Sequence, residues 1–388
     1  MTTLKDDAWA MPVTELARRR DGVLAWMSEH SVDVIAVTDP ESIVYLTGID
    51  IGGRVRGKSL LLAEDGRHFF VTRSLERHWQ PYWATRTWCV DWGFHEDVET
   101  LAQALARLAT DLAGGAPRRL GLELSRPSLS FSDAQFLSSK AGQTVDATSC
   151  ITELRRIKSE PELCAMRRAG EITMLGASAA VATLAAGGNG SDATSAAFAA
   201  LIGAAGGQTP VSGPHVTSGA RTAMAHSAWN HETPKSGDCA VLVMTGSCER
   251  YNAPIEWTLT KGEPDQERAR ILAACDLATT TVMEGLRPGM TAHDGDLLCR
   301  KVIEEAGLSE HFMNRAAYGI GLTFISWMES LVQLKPGDHS EIKPGMTLHI
   351  VPALHVPGHG FMLRSAAFEM TETGCRSLRP TPNFSSIF

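Results

Sequence analysis

The sequence predicts an α+β protein, with an N-terminal α/β domain over residues 1–154 and a C-terminal domain of long helices and antiparallel strands over residues 155–388. Three observations carry that expectation. The first part of the chain alternates apolar runs with turn signals, as βαβ-type chains do. Near residue 151 the texture changes, and ITELRRIKSEPELCAMRRAGEIT opens a long Ala-rich helix. Beyond it, LRPGMT at 286–291 and IKPGMT at 342–347 repeat one another, each leading from a loop into a regular element.

Taken in order, PVTELARRRDGVLAWMSEH at 12–30 puts Leu16, Val23, Leu24 and Met27 on one helical stripe, with Thr14 as its N-cap. DVIAVTD then reads as a buried strand, and residues 39–73 alternate turns and apolar runs through YLTG and a loop with three glycines. A second helix is expected around 97–112, and the Gly/Ala/Pro-rich piece 113–117 is a loop because strand signals follow it directly. A short strand is expected from Ile151 into IKS. Ser159 then caps the long helix, with Pro161 in its first turn and Glu162 completing a capping box. In the C-terminal part the turn PKSGD leads into the apolar run 240–244, and a second β-prone run ends in WTLT at 257–260. Short apolar runs bounded by Gly and Pro predict two strands of an antiparallel pair.

Composition narrows the function classes. No apolar run approaches the roughly 20 residues that a membrane span requires. The net charge is −8 with both signs interspersed, which leaves no basic footprint for nucleic acid or an anionic membrane. Small molecules are the expected partners. The 8 cysteines form no C-x-x-C pair and the first residues lack a signal-peptide pattern, so a cytoplasmic location with reduced thiols is expected. GGRVRGK at 52–58 lacks the spacing of a phosphate loop, and neither a G-x-S-x-G elbow nor a G-x-G-x-x-G fingerprint occurs.

The segment 221–260, RTAMAHSAWNHETPKSGDCAVLVMTGSCERYNAPIEWTLT, resembles the catalytic hairpin of the creatinase/prolidase/aminopeptidase P family. YLTG, IKS-x-x-E and the two PGMT segments extend that resemblance over nearly the whole chain. It implies a creatinase-like N-terminal domain, a pseudo-duplicated pita-bread C-terminal domain, and a homodimer. The family's metallopeptidases hold two metal ions on five side chains, and here those positions read Val243, Glu256, Tyr318, Val351 and Ser365. One carboxylate out of five does not make a dinuclear site, because such ions need several carboxylate or imidazole ligands converging on one point. No metal and no other cofactor is therefore expected. Two metal-free members of the family are similar in detail: creatinase at Glu256-Trp257-Thr258-Leu259, and ectoine hydrolase at Arg250-Tyr251-Asn252-Ala253-Pro254 and Ala317-Tyr318.

His226, in MAHSAW, matches the family's loop histidine, the proton shuttle of creatinase, and a near-neutral imidazole suits that task. The expected catalytic pair is His226 with Glu256 as its orienting or cation-binding partner. Tyr251, Tyr318, His349 and Arg364 are expected around the substrate, with His355 and His359 as secondary candidates. The resemblance also implies that Arg54 and Arg56, in the glycine-rich loop, reach the partner's pocket and clamp a carboxylate. The expected activity is metal-independent hydrolysis of a non-peptide C–N bond in a small nitrogen-rich acid. The alternatives are a lyase or cyclase using the same histidine as base, and a catalytically silent binding module.

Overall fold

The computed structural model describes residues 10–52, 57–204, 208–380, 382, 384 and 387–388. These form two compact units, 10–155 and 156–388.

In the first unit a six-stranded mixed sheet runs in the order Trp92–His95, His68–Arg73, Ser59–Ala63, Val34–Val37, Arg119–Leu122, Gln143–Asp146. The strand expected from DVIAVTD lies inside it, antiparallel to Ser59–Ala63 and parallel to Arg119–Leu122. Alternation in a strand sends successive side chains to opposite faces, so Val34 and Ala36 point the same way and pack with Leu105, Leu108 and Leu112 of helix Leu101–Ala113. Each such leucine contributes on the order of 1.5–3 kcal/mol on burial. Thr100 and Gln103 fix that helix start by a reciprocal capping box at 2.9 and 3.2 Å. The first helix, Val13–Glu29, buries Leu16, Val23 and Met27 as expected, but Pro12 rather than Thr14 occupies the N-cap. Proline's fixed φ already suits a helix entrance, which moves the start one residue ahead of the threonine. YLTG closes helix Pro40–Thr47, with Gly48 at φ 71° as its left-handed cap.

The short strand expected from Ile151 is instead helix Thr148–Arg156. Asp146 accepts the Thr148 N–H at 2.9 Å, and Cys150, Ile151 and Arg155 fall on one buried helical face. A start-side acid and a 3.6-residue period outweigh the strand tendency of Ile and Thr here.

The second unit repeats one plan twice. Helices Glu160–Ala185 and Gly190–Ala204 back a three-stranded antiparallel sheet ordered Ile255–Thr260, Cys239–Met244, His215–Ser218. Helices Gln266–Gly285 and Ala292–Glu305 back a five-stranded antiparallel sheet ordered Met328–Leu334, Ala317–Ile320, Thr347–Ile350, Ala366–Thr371, Gly374–Ser377. The two PGMT segments pair with each other, Gly289 N–H to Ile342 O at 2.9 Å and Ile342 N–H to Met290 O at 2.8 Å. This is the pseudo-duplicated pita-bread architecture. The expected capping box at Ser159 forms, with Glu162 accepting from the Ser159 N–H at 2.9 Å and its hydroxyl at 3.0 Å. Gly170 lets the long helix come so near residues 378–379 that an added Cβ would lie 2.1 Å from Leu378 O.

The expected hairpin is present and in register, Val243 opposite Glu256 and Leu242 opposite Trp257. Its turn region carries a small extra ladder, Ser247–Cys248 against Tyr251–Asn252. Since Ala240, Leu242 and Met244 face the helices, Val241 and Val243 face the other way. The same parity sends Leu348 and Ile350 into the second core and His349 out of it. Among the described residues no helix is long and apolar enough to cross a membrane.

Candidate active site

The faces turned away from the two helix pairs line a cavity of about 670 Å3. Strand register places three of its side chains in one row. His215 pairs with Val243 across one ladder, and Val243 pairs with Glu256 across the next. Directly opposed residues of antiparallel strands point to the same face, so His215 and Glu256 flank the smaller valine. Tyr318, from the five-stranded sheet, reaches the same cavity, as do His226, Arg315 and Trp327 from the surrounding loops.

Glu256 brings a carboxyl to the cavity. Burial pushes its carboxyl up to about 7, and the hydrogen bond from the Tyr318 hydroxyl at 3.1 Å pulls in the opposite direction. Its backbone N–H is held by the Ser365 hydroxyl at 2.8 Å. The Tyr318 oxygen also accepts Trp327 Nε1–H at 2.8 Å and lies 2.9 Å from His349 Nδ1. With the phenol proton given to Glu256, the assignment that satisfies every partner is His349 Nδ1–H donating to Tyr318, which leaves the lone pair of His349 Nε2 as the atom without a partner. Burial, and next Arg379, hold His349 well below the usual imidazole range, so it is neutral. Burial, and next the Glu256 charge, hold the Tyr318 phenol well above its ordinary range. Tyr318 is thus a fixed donor aimed at Glu256, supported from behind by an indole and a neutral imidazole.

Two other groups differ in how they are held. His226 is exposed, makes no hydrogen bond among the described residues, and sits at φ 58°. A left-handed non-glycine backbone costs on the order of 1–2 kcal/mol, which the loop around it must offset. His215 is half-buried and stacked on Trp229 at 5.8 Å and 9°, and burial lowers its pKa. Arg315 places its Cζ 5.0 Å from the Tyr318 ring centroid, and its Nη2 donates to Met328 Sδ at 2.9 Å.

The candidates from the sequence separate accordingly. His226, Glu256 and Tyr318 line one cavity, although no hydrogen bond joins His226 to Glu256; the partner of Glu256 is Tyr318. His355 also lines it and bonds Ala223 O at 3.0 Å, whereas His359 lies 3.9 Å from Asp265 outside it. Three expected substrate contacts are corrected. His349 stands behind Tyr318, fully enclosed. Tyr251 donates its hydroxyl to Glu162 Oε1 at 2.9 Å and locks the cap of the long helix. Arg364 is buried, bonded to Thr258 O, ion-paired with Asp276 at 3.3 Å and stacked over Trp257 at 4.5 Å. In each case strand parity or a nearer partner takes the polar group away from the cavity. Arg54 and Arg56 lie outside the described residues. His215, Arg315 and Trp327 were not anticipated. Their only sequence signals were proximity: His215 opens the strand before the His226 loop, and Arg315 stands three residues before Tyr318.

The donor set does not fit a dinuclear metal centre. Of the five positions, Val243, Tyr318 and Val351 line the cavity without a metal-binding carboxylate or imidazole, and the Ser365 hydroxyl is engaged by the Glu256 backbone. Among the described residues, no three His, Cys, Asp or Glu side chains converge as a metal would require.

Residues 164–373, more than half the chain, match the metallopeptidase family M24, and residues 19–157 match the creatinase/prolidase N-terminal domain. An uncharacterized hydrolase/peptidase of Sinorhizobium fredii is 27% identical over 377 residues, covering 92% of this chain and 93% of the relative. The ectoine hydrolase of Halomonas elongata is 25% identical over 404 aligned residues, covering 96% and 98%. In fold, the Xaa-Pro dipeptidase from Bacillus anthracis superposes with a TM-score of 0.81 at 19% identity, over 96% of this chain and all of that one.

Proposed function

Because the chain belongs to metallopeptidase family M24, a family of hydrolases, yet carries donors that do not fit its metal centre, we propose that it hydrolyses a non-peptide C–N bond in a small nitrogen-rich substrate without a resident metal. The observation that carries this reading is Glu256: one carboxyl in the cavity, held by Tyr318 and pushed up to about 7, the range in which a side chain both gives and takes protons near neutrality.

In this mechanism His226 takes a proton from water, and the hydroxide equivalent attacks the amidine, guanidine or lactam-like carbon. The C–N bond of the tetrahedral intermediate then breaks, with the electron pair leaving on nitrogen. Protonated Glu256 donates to that nitrogen, and the proton held on His226 passes by solvent to Glu256, restoring both groups. Tyr318 steadies the carboxylate that Glu256 becomes, since its hydroxyl already donates there.

The test is turnover of N-amidino acids, cyclic amidine acids and N-acyl amino acids in chelator-treated buffer made with 18O water, read by mass spectrometry. One labelled oxygen per turnover is expected, in the product that keeps the attacked carbon. Product without label would make the reaction an elimination or cyclisation, and turnover only after restoring two divalent ions per chain would overturn the reading.

A further inference from the structure

Several enclosed arginines meet a carboxylate, and Arg379, buried without one, donates instead to the Ser365 carbonyl and does not line the cavity. Arg126, Arg155, Arg167, Arg300 and Arg364 each meet a carboxylate within 3.3 Å. Arg315 meets none: its Nη2 is directed at a thioether, its Nε is buried without a hydrogen-bond partner, and its guanidinium lies by the Tyr318 ring. It is also the only Lys or Arg among the described residues that line the cavity. A guanidinium is always charged and presents a planar fork matched to a carboxylate. Leaving that fork facing a thioether wastes strong donors unless an anion arrives.

The apolar side of the cavity narrows the class further. Met224, Met313 and Met328 line it and remain 64%, 78% and 38% exposed. Unbranched thioethers adapt to varied apolar shapes. A volume of about 670 Å3 falls in the range of roughly 300–1,000 Å3 that takes drug-sized ligands rather than the smallest acids.

We propose that Arg315 is the anchor for a substrate carboxylate, and that the substrate carries an apolar arm lying against Met224, Met313 and Met328. The inference rests on the cavity being the substrate site. It gives Arg315 a carboxylate clamp, the role that the resemblance implied for Arg54 and Arg56, and it extends the substrate class from small nitrogen-rich acids to amphiphilic ones, such as N-acyl or N-amidino amino acids with a bulky side chain. The bond to be broken then lies toward Glu256 and His226, with the carboxylate on Arg315.

Equilibrium binding tests this without turnover. The probes are 3-phenylpropanoate, its uncharged amide and acetate, titrated calorimetrically into the wild-type chain and into Arg315→Gln, Arg315→Lys and Glu256→Gln. Wild type should favour the acid over the amide by about 10- to 100-fold, the usual scale of a charged hydrogen-bonded contact. It should favour 3-phenylpropanoate over acetate as well. Arg315→Gln should equalise acid and amide, and Arg315→Lys should keep part of the preference. Because the polar contacts of the Arg315 side chain among the described residues are to Met328 and the Tyr318 ring and include no ion pair, circular dichroism should show both variants folded. Equal binding of acid and amide by wild type, or an unchanged preference in Arg315→Gln, overturns the anchor; equal binding of acetate overturns the apolar arm. Glu256→Gln should keep the acid preference while losing hydrolysis. An acid preference that persists in a wild-type chain which hydrolyses none of the panel would refute the C–N reading alone.

Discussion

Glu123 and Glu256 are both buried carboxyls pushed up to about 7, one in each unit of the chain, and only one of them faces a place where chemistry can occur. Glu123 is completely enclosed and accepts the N–H groups of Thr38 and Asp39, each at 2.9 Å, and the Ser42 hydroxyl at 2.6 Å. Those three donors belong to the start of helix Pro40–Thr47, so Glu123 is a helix anchor supplied from a neighbouring strand end. Glu256 has one donor to its carboxyl, Tyr318, and keeps part of its surface on the cavity. The same shift therefore has two meanings. A raised pKa marks burial; vacant hydrogen-bonding capacity beside a cavity marks a site.

The largest expected effect separates them by turnover. Once a substrate is in hand, Glu256→Gln should lower kcat by about 10²–10⁴ with the fold intact, the scale of a positioned proton-transfer group. Glu123→Ala should leave turnover of the folded protein unchanged. It should instead cost about 3 kcal/mol of stability, since three buried donors lose their acceptor. Calorimetry beside steady-state kinetics on both variants checks the contrast, and a stable, inactive Glu123→Ala chain would erase it.

How far this contrast was legible in the sequence depends on what each residue needs to be seen. Glu256 was readable because PKSGD starts a strand, and counting along a hairpin gives its register to within a residue. The Ser159–Glu162 cap and the two PGMT segments were readable because their signals are local. His215 was not, because its place beside Val243 depends on a third strand that nothing in PHVTSG ties to the hairpin. Tyr251 and Arg364 were misplaced for a related reason: a polar residue near a site-like strand serves whichever partner its parity reaches, Glu162 for one and Asp276 for the other. Arg315 was missed because an arginine without a carboxylate looks like any other in a sequence. The stretch from Ile151 was read as a short strand because Ile and Thr carry β tendency, whereas the Asp146 contact that starts helix Thr148–Arg156 acts through geometry.

A smaller effect tests the Tyr318 contact. Its hydroxyl donates to Glu256 and so favours the ionised carboxyl; Tyr318→Phe removes that donor and should raise the Glu256 pKa further. Where Glu256 must be protonated to act, activity falls as pH rises through its pKa. The descending limb of kcat/KM near pH 7 should therefore move to higher pH, by about one unit for one hydrogen bond to a charged group. A limb that stays in place in Tyr318→Phe assigns it to another group.

The smallest effect concerns stability, and its sign follows from both carboxyls binding their proton more tightly folded than unfolded. Below the unfolded value of 4.5 each group's contribution is fully present; as pH rises from there through about 7 it is lost, because the unfolded chain ionises first. For Glu123, enclosed on all sides, the loss is bounded by about 3 kcal/mol. For Glu256, open to cavity water, screening reduces it to about 1 kcal/mol. Wild type should thus be less stable at pH 8 than at pH 5. Glutamine mimics the neutral carboxyl and removes the titration, so Glu123→Gln should flatten most of that decline and Glu256→Gln a smaller share. Denaturant midpoints at the two pH values read it directly. Should Glu256→Gln flatten the profile more than Glu123→Gln does, the carboxyl in the cavity would be the more tightly enclosed of the two, and its assignment as the group open to substrate would fail.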